Sequence, residues 1–133
     1  MPEDATAHVE KSKRAYYDTI IETEGSPFFG QKPTDVFVTA AAIGYYQGKR
    51  EPVKDRHDLF RTFTISDEKN RIWLLKSIAI AIEGVEVLKD IKRVIKISEE
   101  FANTGIDYLY KMHTDGSDVA IHLSDAMFEV LDE

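Results

Sequence analysis

Along this chain the hydrophobic positions recur mostly every three or four residues, the spacing that gathers them on one face of a helix. Residues 5–22, with Ala5, Val9, Tyr16, Ile20 and Ile21 as apolar positions, predict a first helix that Gly25-Ser26-Pro27 ends. Gly30 and Pro33 prolong the break, and Phe28 and Phe29 are expected to anchor that loop to the core. The next stretch, Thr34 to Arg50, is TDVFVTAAAIGYYQGKR. Between Val36 and Tyr46 its only polar side chain is Thr39, so a helix here is apolar on every side and predicts burial. Thr34 is read as its N-cap, Asp35 sits in the first turn where the helix dipole favours an acid, and Gly48 is the stop.

Residues 49–66 are less regular. Leu59, Arg61, Phe63 and Ile65 alternate with Phe60, Thr62 and Thr64 as a short strand would. No partner strand is evident, so an extended link is expected. A third helix runs from a Ser66 cap to Gly84, with Ile72, Leu75, Ala79 and Ile82 as its stripe. Ile78, Ile80, Ile82, Val85 and Val87 also fit a hairpin, but Glu83-Gly84 is a poor two-residue turn. Val85 to Lys89 reads as a short turn of helix or a link. From Asp90 the pattern is clean: Ile91, Val94, Ile95, Phe101, Ala102, Ile106, Leu109 and Met112 mark a long helix. Gly105 inside it costs about 1 kcal/mol relative to alanine, which predicts a close helix crossing. Val119, Leu123, Met127 and Val130 stripe a last helix. The fold expected is all-α: one compact helical bundle over residues 1–133, with an acidic C-terminal helix or tail at 113–133 and about five helices.

Composition changes this picture little. The chain has 133 residues, 43% hydrophobic and 31% charged, ordinary for one globular domain. It has no cysteine, which excludes disulfides and thiolate metal sites and suits a reducing compartment. No apolar run approaches the ~20 residues of a membrane span, and the polar N-terminus lacks a secretory signal. A cytoplasmic location is expected, with no membrane partner. Charge is more informative. The formal net charge is −7, and six acids with no Lys or Arg follow Lys111, so the rest of the chain is almost balanced. A duplex-binding protein usually carries a basic footprint, so any nucleic-acid contact is expected to be weak or indirect.

The candidate chemistry lies in EEFANTGIDYLY. On a helix Glu100, Asn103 and Asp107 share a face, and two carboxylates with an amide could hold Mg²⁺ through oxygen. The acid spacing, with a glycine before the final Asp, resembles the helical signature of ribonuclease III domains, although Ile106 intervenes before Asp107. That resemblance implies the alternative reading: a ribonuclease III-like, Mg²⁺-dependent nuclease with Glu100 and Asp107 as catalytic and metal-binding residues. The simpler reading is a solvated helix face with no cofactor. His57-Asp58 invites comparison with metal-binding His-Asp dyads, but His8, His113 and His122 have no ligand-like spacing around it. Basic groups gather twice, at Lys49, Arg50, Lys54, Arg56 and Arg61, and at Lys89, Lys92, Arg93 and Lys96.

Asp35-Val36-Phe37, Gly44-Tyr45, Gly48-Lys49-Arg50-Glu51-Pro52, Glu99 to Asn103 and Gly105-Ile106 together form a pattern. It resembles a family of small proteins associated with DNA phosphorothioation (dnd) gene clusters. The resemblance covers about residues 27–110 and none of its motifs is a catalytic signature. It implies a non-catalytic accessory or binding role in a DNA modification or defence system, with a protein partner in a DNA-processing assembly. Tyr45, Lys49, Arg50, Glu99 and Asn103 are the expected binding residues. A homodimer is a further expectation. Arg50→Glu is expected to abolish capture of the protein partner while leaving thermal stability nearly unchanged, and a large stability loss would instead mean that Arg50 is structural.

Overall fold

The computed structural model describes residues 5–62 and 71–114. The predicted cap at Ser66 and the last helix lie outside these residues. The described elements run β1 (Thr6–Glu10), a 3-10 turn (Lys11–Lys13), α1 (Arg14–Glu22), α2 (Pro33–Gln47), β2 (Arg56–Arg61), α3 (Arg71–Glu83), a second 3-10 turn (Val85–Lys89) and α4 (Ile91–Thr114).

The sheet overturns the all-α expectation. β1 and β2 pair antiparallel, with Thr6 opposite Arg61, Ala7 opposite Phe60, His8 opposite Asp58 and Glu10 opposite Arg56. The register slips between Ala7 and His8, leaving Leu59 as the extra residue of a bulge. The reason is legible in burial. Ala5, Ala7 and Val9 are buried while Thr6, His8 and Glu10 are half-exposed, the alternation of a strand with one face on a core. Ala5 and Val9 also satisfy a helical spacing of four, and Ala7 is the residue that separates the two readings. The fold is therefore mixed, helices plus a two-stranded sheet, not a five-helix bundle. The likeness to a ribonuclease III helical domain goes with it.

α4 is the hub. Ile97 to Asn103 are all buried, because the sheet, α2, α3 and the loop after α2 close around its middle. α2 lies closest. A Cβ placed on Gly44 would come within 2.0 Å of the Phe101 carbonyl oxygen, and one on Gly105 within 1.7 Å of the Ala40 carbonyl oxygen. The two glycines thus face each other's helix backbone, and this reciprocal contact sets the crossing. α2 begins with Pro33 in its first turn after an N-cap at Lys32, two positions earlier than the Thr34 cap expected. Asp35 accepts the Lys32 N–H at 3.1 Å and pairs with Arg71 of α3 at 2.6 Å, tying two helix starts together. Gly48 ends α2 in the left-handed region (φ 68°), as its position predicts.

α3 stops at Gly84, so the helix and not the hairpin forms. It buries Leu75, Ile78 and Ala79 and leaves Trp73, Leu74 and Ile82 exposed. Arg93 of α4 holds Glu83 at its end. Among the described residues no helix is long and apolar enough to cross a membrane.

Candidate functional site

Two polar regions flank the middle of α4, one on each side of the adjacent Glu99 and Glu100. The first is a clasp. After Gly48 the chain doubles back along α4, and its backbone finds partners there. Glu51 N–H donates to the Glu100 carbonyl at 3.1 Å, and the Thr104 hydroxyl donates to the Lys49 carbonyl at 2.7 Å. The Asn103 amide reaches the carbonyls of Glu51 (3.1 Å) and Pro52 (3.4 Å). Arg50 Nε donates to Glu100 Oε1 at 2.9 Å and its guanidinium lies 5.6 Å from the Phe101 ring, on whose edge Tyr45 also packs. Unmade, these loop groups would each cost free energy against water, so the clasp is first of all a way of satisfying backbone.

Within the clasp the predicted binding residues divide. Tyr45 is 40% exposed and Lys49 is exposed, both open to solvent. Arg50 is half committed to Glu100, while Glu99 and Asn103 are buried. Glu100 and Asp107, the pair weighed for Mg²⁺, are held by cations from different elements. Glu100 takes Arg50, and Asp107 takes Lys13 at 2.9 Å from the turn after β1. Lys13 also donates to the Asn103 carbonyl at 2.8 Å. Among the described residues no three His, Cys, Asp or Glu side chains are placed to share a metal ion.

The second region is a half-open cleft of about 300 Å³ between the sheet and the first turns of α4. Ala5, Thr6 and His8 of the β1 edge, Arg56 of β2, and Lys92, Ile95, Lys96 and Glu99 of α4 line it. Glu99 is its fixed point. It accepts the His8 backbone N–H at 2.5 Å, lies 3.1 Å from His8 Nδ1, and stands 3.6 Å from Arg56 Nη2. Arg56 Nη2 is in turn 2.9 Å from His8 Nδ1, and His8 Nε2 is 3.0 Å from Asp58. One imidazole tautomer donates to Glu99 and the other accepts from Arg56. Burial pushes the Glu99 carboxyl above the usual carboxylate range, against the opposing pull of the His8 amide and Arg56. The His-Asp contact of this protein is therefore His8–Asp58 across the sheet, with His57 an exposed neighbour.

Sequence reasoning missed this cleft. Arg56 belongs to one basic group and Lys92 and Lys96 to the other, and only the β1–β2 pairing brings them together. The signal available was the alternation of Ala5, Ala7 and Val9, which would have supplied the partner strand.

Comparison with curated proteins and with solved structures gave no match. Residues 8–131 match the family described as DNA sulphur modification system-associated protein 4, a span that includes the clasp and all of the cleft lining except Ala5 and Thr6. The chain belongs to that family of DNA sulphur modification system-associated proteins.

Proposed function

We propose that the protein is a non-catalytic accessory component of a DNA sulphur modification system, acting in the cytoplasm by binding a protein partner. The observation that carries this reading is the commitment of its candidate acids. Glu99 accepts the His8 amide and stands 3.6 Å from Arg56, Glu100 pairs with Arg50 and Asp107 with Lys13. A general base or metal ligand needs a carboxylate turned toward substrate, and a carboxylate held in an internal ion pair serves packing instead. At the end of α2, by contrast, Tyr45 and Lys49 face solvent on a backbone that the clasp holds rigid. An exposed aromatic beside a cation on a fixed loop is the composition of a protein contact, with tyrosine among the residues enriched at interfaces.

The test is affinity capture with the full chain from nuclease-treated lysate of cells that carry such a system. The reading expects a partner retained by the natural protein and lost with Tyr45→Ala plus Lys49→Glu, while Lys49→Glu alone, at an exposed position, holds the melting temperature within about 2 °C. A partner retained equally by the double variant, or nuclease activity in the purified protein, would overturn it.

A further inference from the structure

The cleft between the sheet and α4 has a charge balance that the fold does not use up. Around α4 several basic groups are already paired: Arg93 holds Glu83, Lys89 holds Glu86, Arg50 holds Glu100 and Lys13 holds Asp107. Lys92 and Lys96 are exposed, one turn apart on α4, and neither forms an ion pair among the described residues. Arg56 touches His8 and Glu99 through Nη2, which leaves its Nε and Nη1 donors for another group. Three basic residues from two elements thus line one small space, beside the buried carboxylate that contacts Arg56.

We propose that this cleft binds the phosphate group of a nucleotide or of a single nucleic-acid strand, with Arg56, Lys92 and Lys96 as its ligands and Glu99 as the residue that positions Arg56. A planar carboxylate is satisfied by one guanidinium, whereas a tetrahedral phosphate presents oxygens in several directions and suits donors that approach from β2 and from α4 together. Ala5 and Ile95 give the cleft an apolar wall for the attached sugar or base. A volume of about 300 Å³ takes roughly one nucleotide. Duplex DNA would need a longer basic track than a chain with a net charge of −7 offers.

Fluorescence anisotropy of the full chain with a short labelled single-stranded DNA tests this. Binding is expected to weaken as salt rises, and Lys92→Glu with Lys96→Glu should weaken it roughly tenfold or more. Both positions are exposed, so the melting temperature should hold, and Arg56→Gln should weaken binding in the same direction. Competition by a nucleoside monophosphate assigns the site to a terminal phosphate, and competition only by an unphosphorylated dinucleotide assigns it to the backbone. No binding at low salt, unchanged affinity in the double lysine variant, or equally good competition by a polyglutamate peptide would overturn the proposal. The readout does not involve Tyr45 or Lys49, so it stands or fails apart from the partner surface.

Discussion

Glu99 and Glu100 are neighbours in the chain, but α4 turns them about 100° apart and delivers them to regions built on different terms. At the clasp one carboxylate meets one guanidinium, and the remaining polar groups are backbone amides and carbonyls that satisfy each other. At the cleft one carboxylate meets an amide, an imidazole and a guanidinium, and two further lysines stand by without an acid. Both glutamates are buried and both touch arginine, so neither burial nor pairing separates a structural site from a binding one. The charge left over does. At the clasp Glu100 is matched by Arg50 and Lys49 is left to solvent, whereas at the cleft two lysines and part of Arg56 are left over.

Experiments that break this comparison can be ordered by size. Gly105→Ala should remove both regions at once, because its Cβ meets the Ala40 carbonyl and α2 cannot yield without moving the loop that follows it. We expect a loss of more than about 3 kcal/mol in denaturant unfolding, beyond ordinary overpacking. Arg50→Glu comes next. It sets two carboxylates together at a position where the Glu100 side chain is 10% exposed, and should cost about 2–4 kcal/mol. Arg50 is thus part of the clasp, and a loss of that size would overturn the expectation that its reversal leaves stability nearly unchanged. Lys96→Glu, at an exposed position of the cleft, should change stability by less than about 0.5 kcal/mol in the same assay. Equal losses for Arg50→Glu and Lys96→Glu would dissolve the distinction between the regions.

The finest test is titration of single carboxyls by NMR. Glu99 should titrate above the usual range because burial opposes its charge, and Glu10 below it because the Lys54 and Asp55 N–H groups bind the charged form. The linked stabilities then have opposite signs. What Glu10 contributes is present above its unfolded value and lost as pH falls through its lowered one. The contribution from Glu99 is greatest below its unfolded value and is lost as pH rises through its raised one. Glu99→Gln should therefore gain on the natural protein as pH rises above the ordinary carboxylate range, whereas Glu10→Gln should lose on it over the acid limb as pH rises.

The helices were written plainly in the sequence, since α2, α3 and α4 carry local signals: glycine stops after α2 and α3 and a sustained apolar stripe in α4. Gly105 even announced the crossing. The sheet was not, because its information is shared between segments about fifty residues apart. β2 is mostly exposed and charged, so it has no alternating pattern of its own, and it becomes a strand only beside β1. Site residues followed the same division. Tyr45 and Lys49 were placed at the surface by the polar end of a buried helix. Glu99 and Asn103 were assigned to a solvated face because a helix usually has one, and α4 at its centre has almost none.

One contact also fixes an order of assembly. The His8–Glu99 bond joins residues 91 positions apart, and closing so long a loop is entropically costly until the intervening elements are compact. During synthesis the helices up to α3 are complete before Glu99 has left the ribosome. The first strand must therefore wait, with its Ala5, Ala7 and Val9 face uncovered, for the last described helix to arrive. The cleft, like the Lys13–Asp107 pair 94 positions apart, thus exists only once the first strand and the last described helix have met.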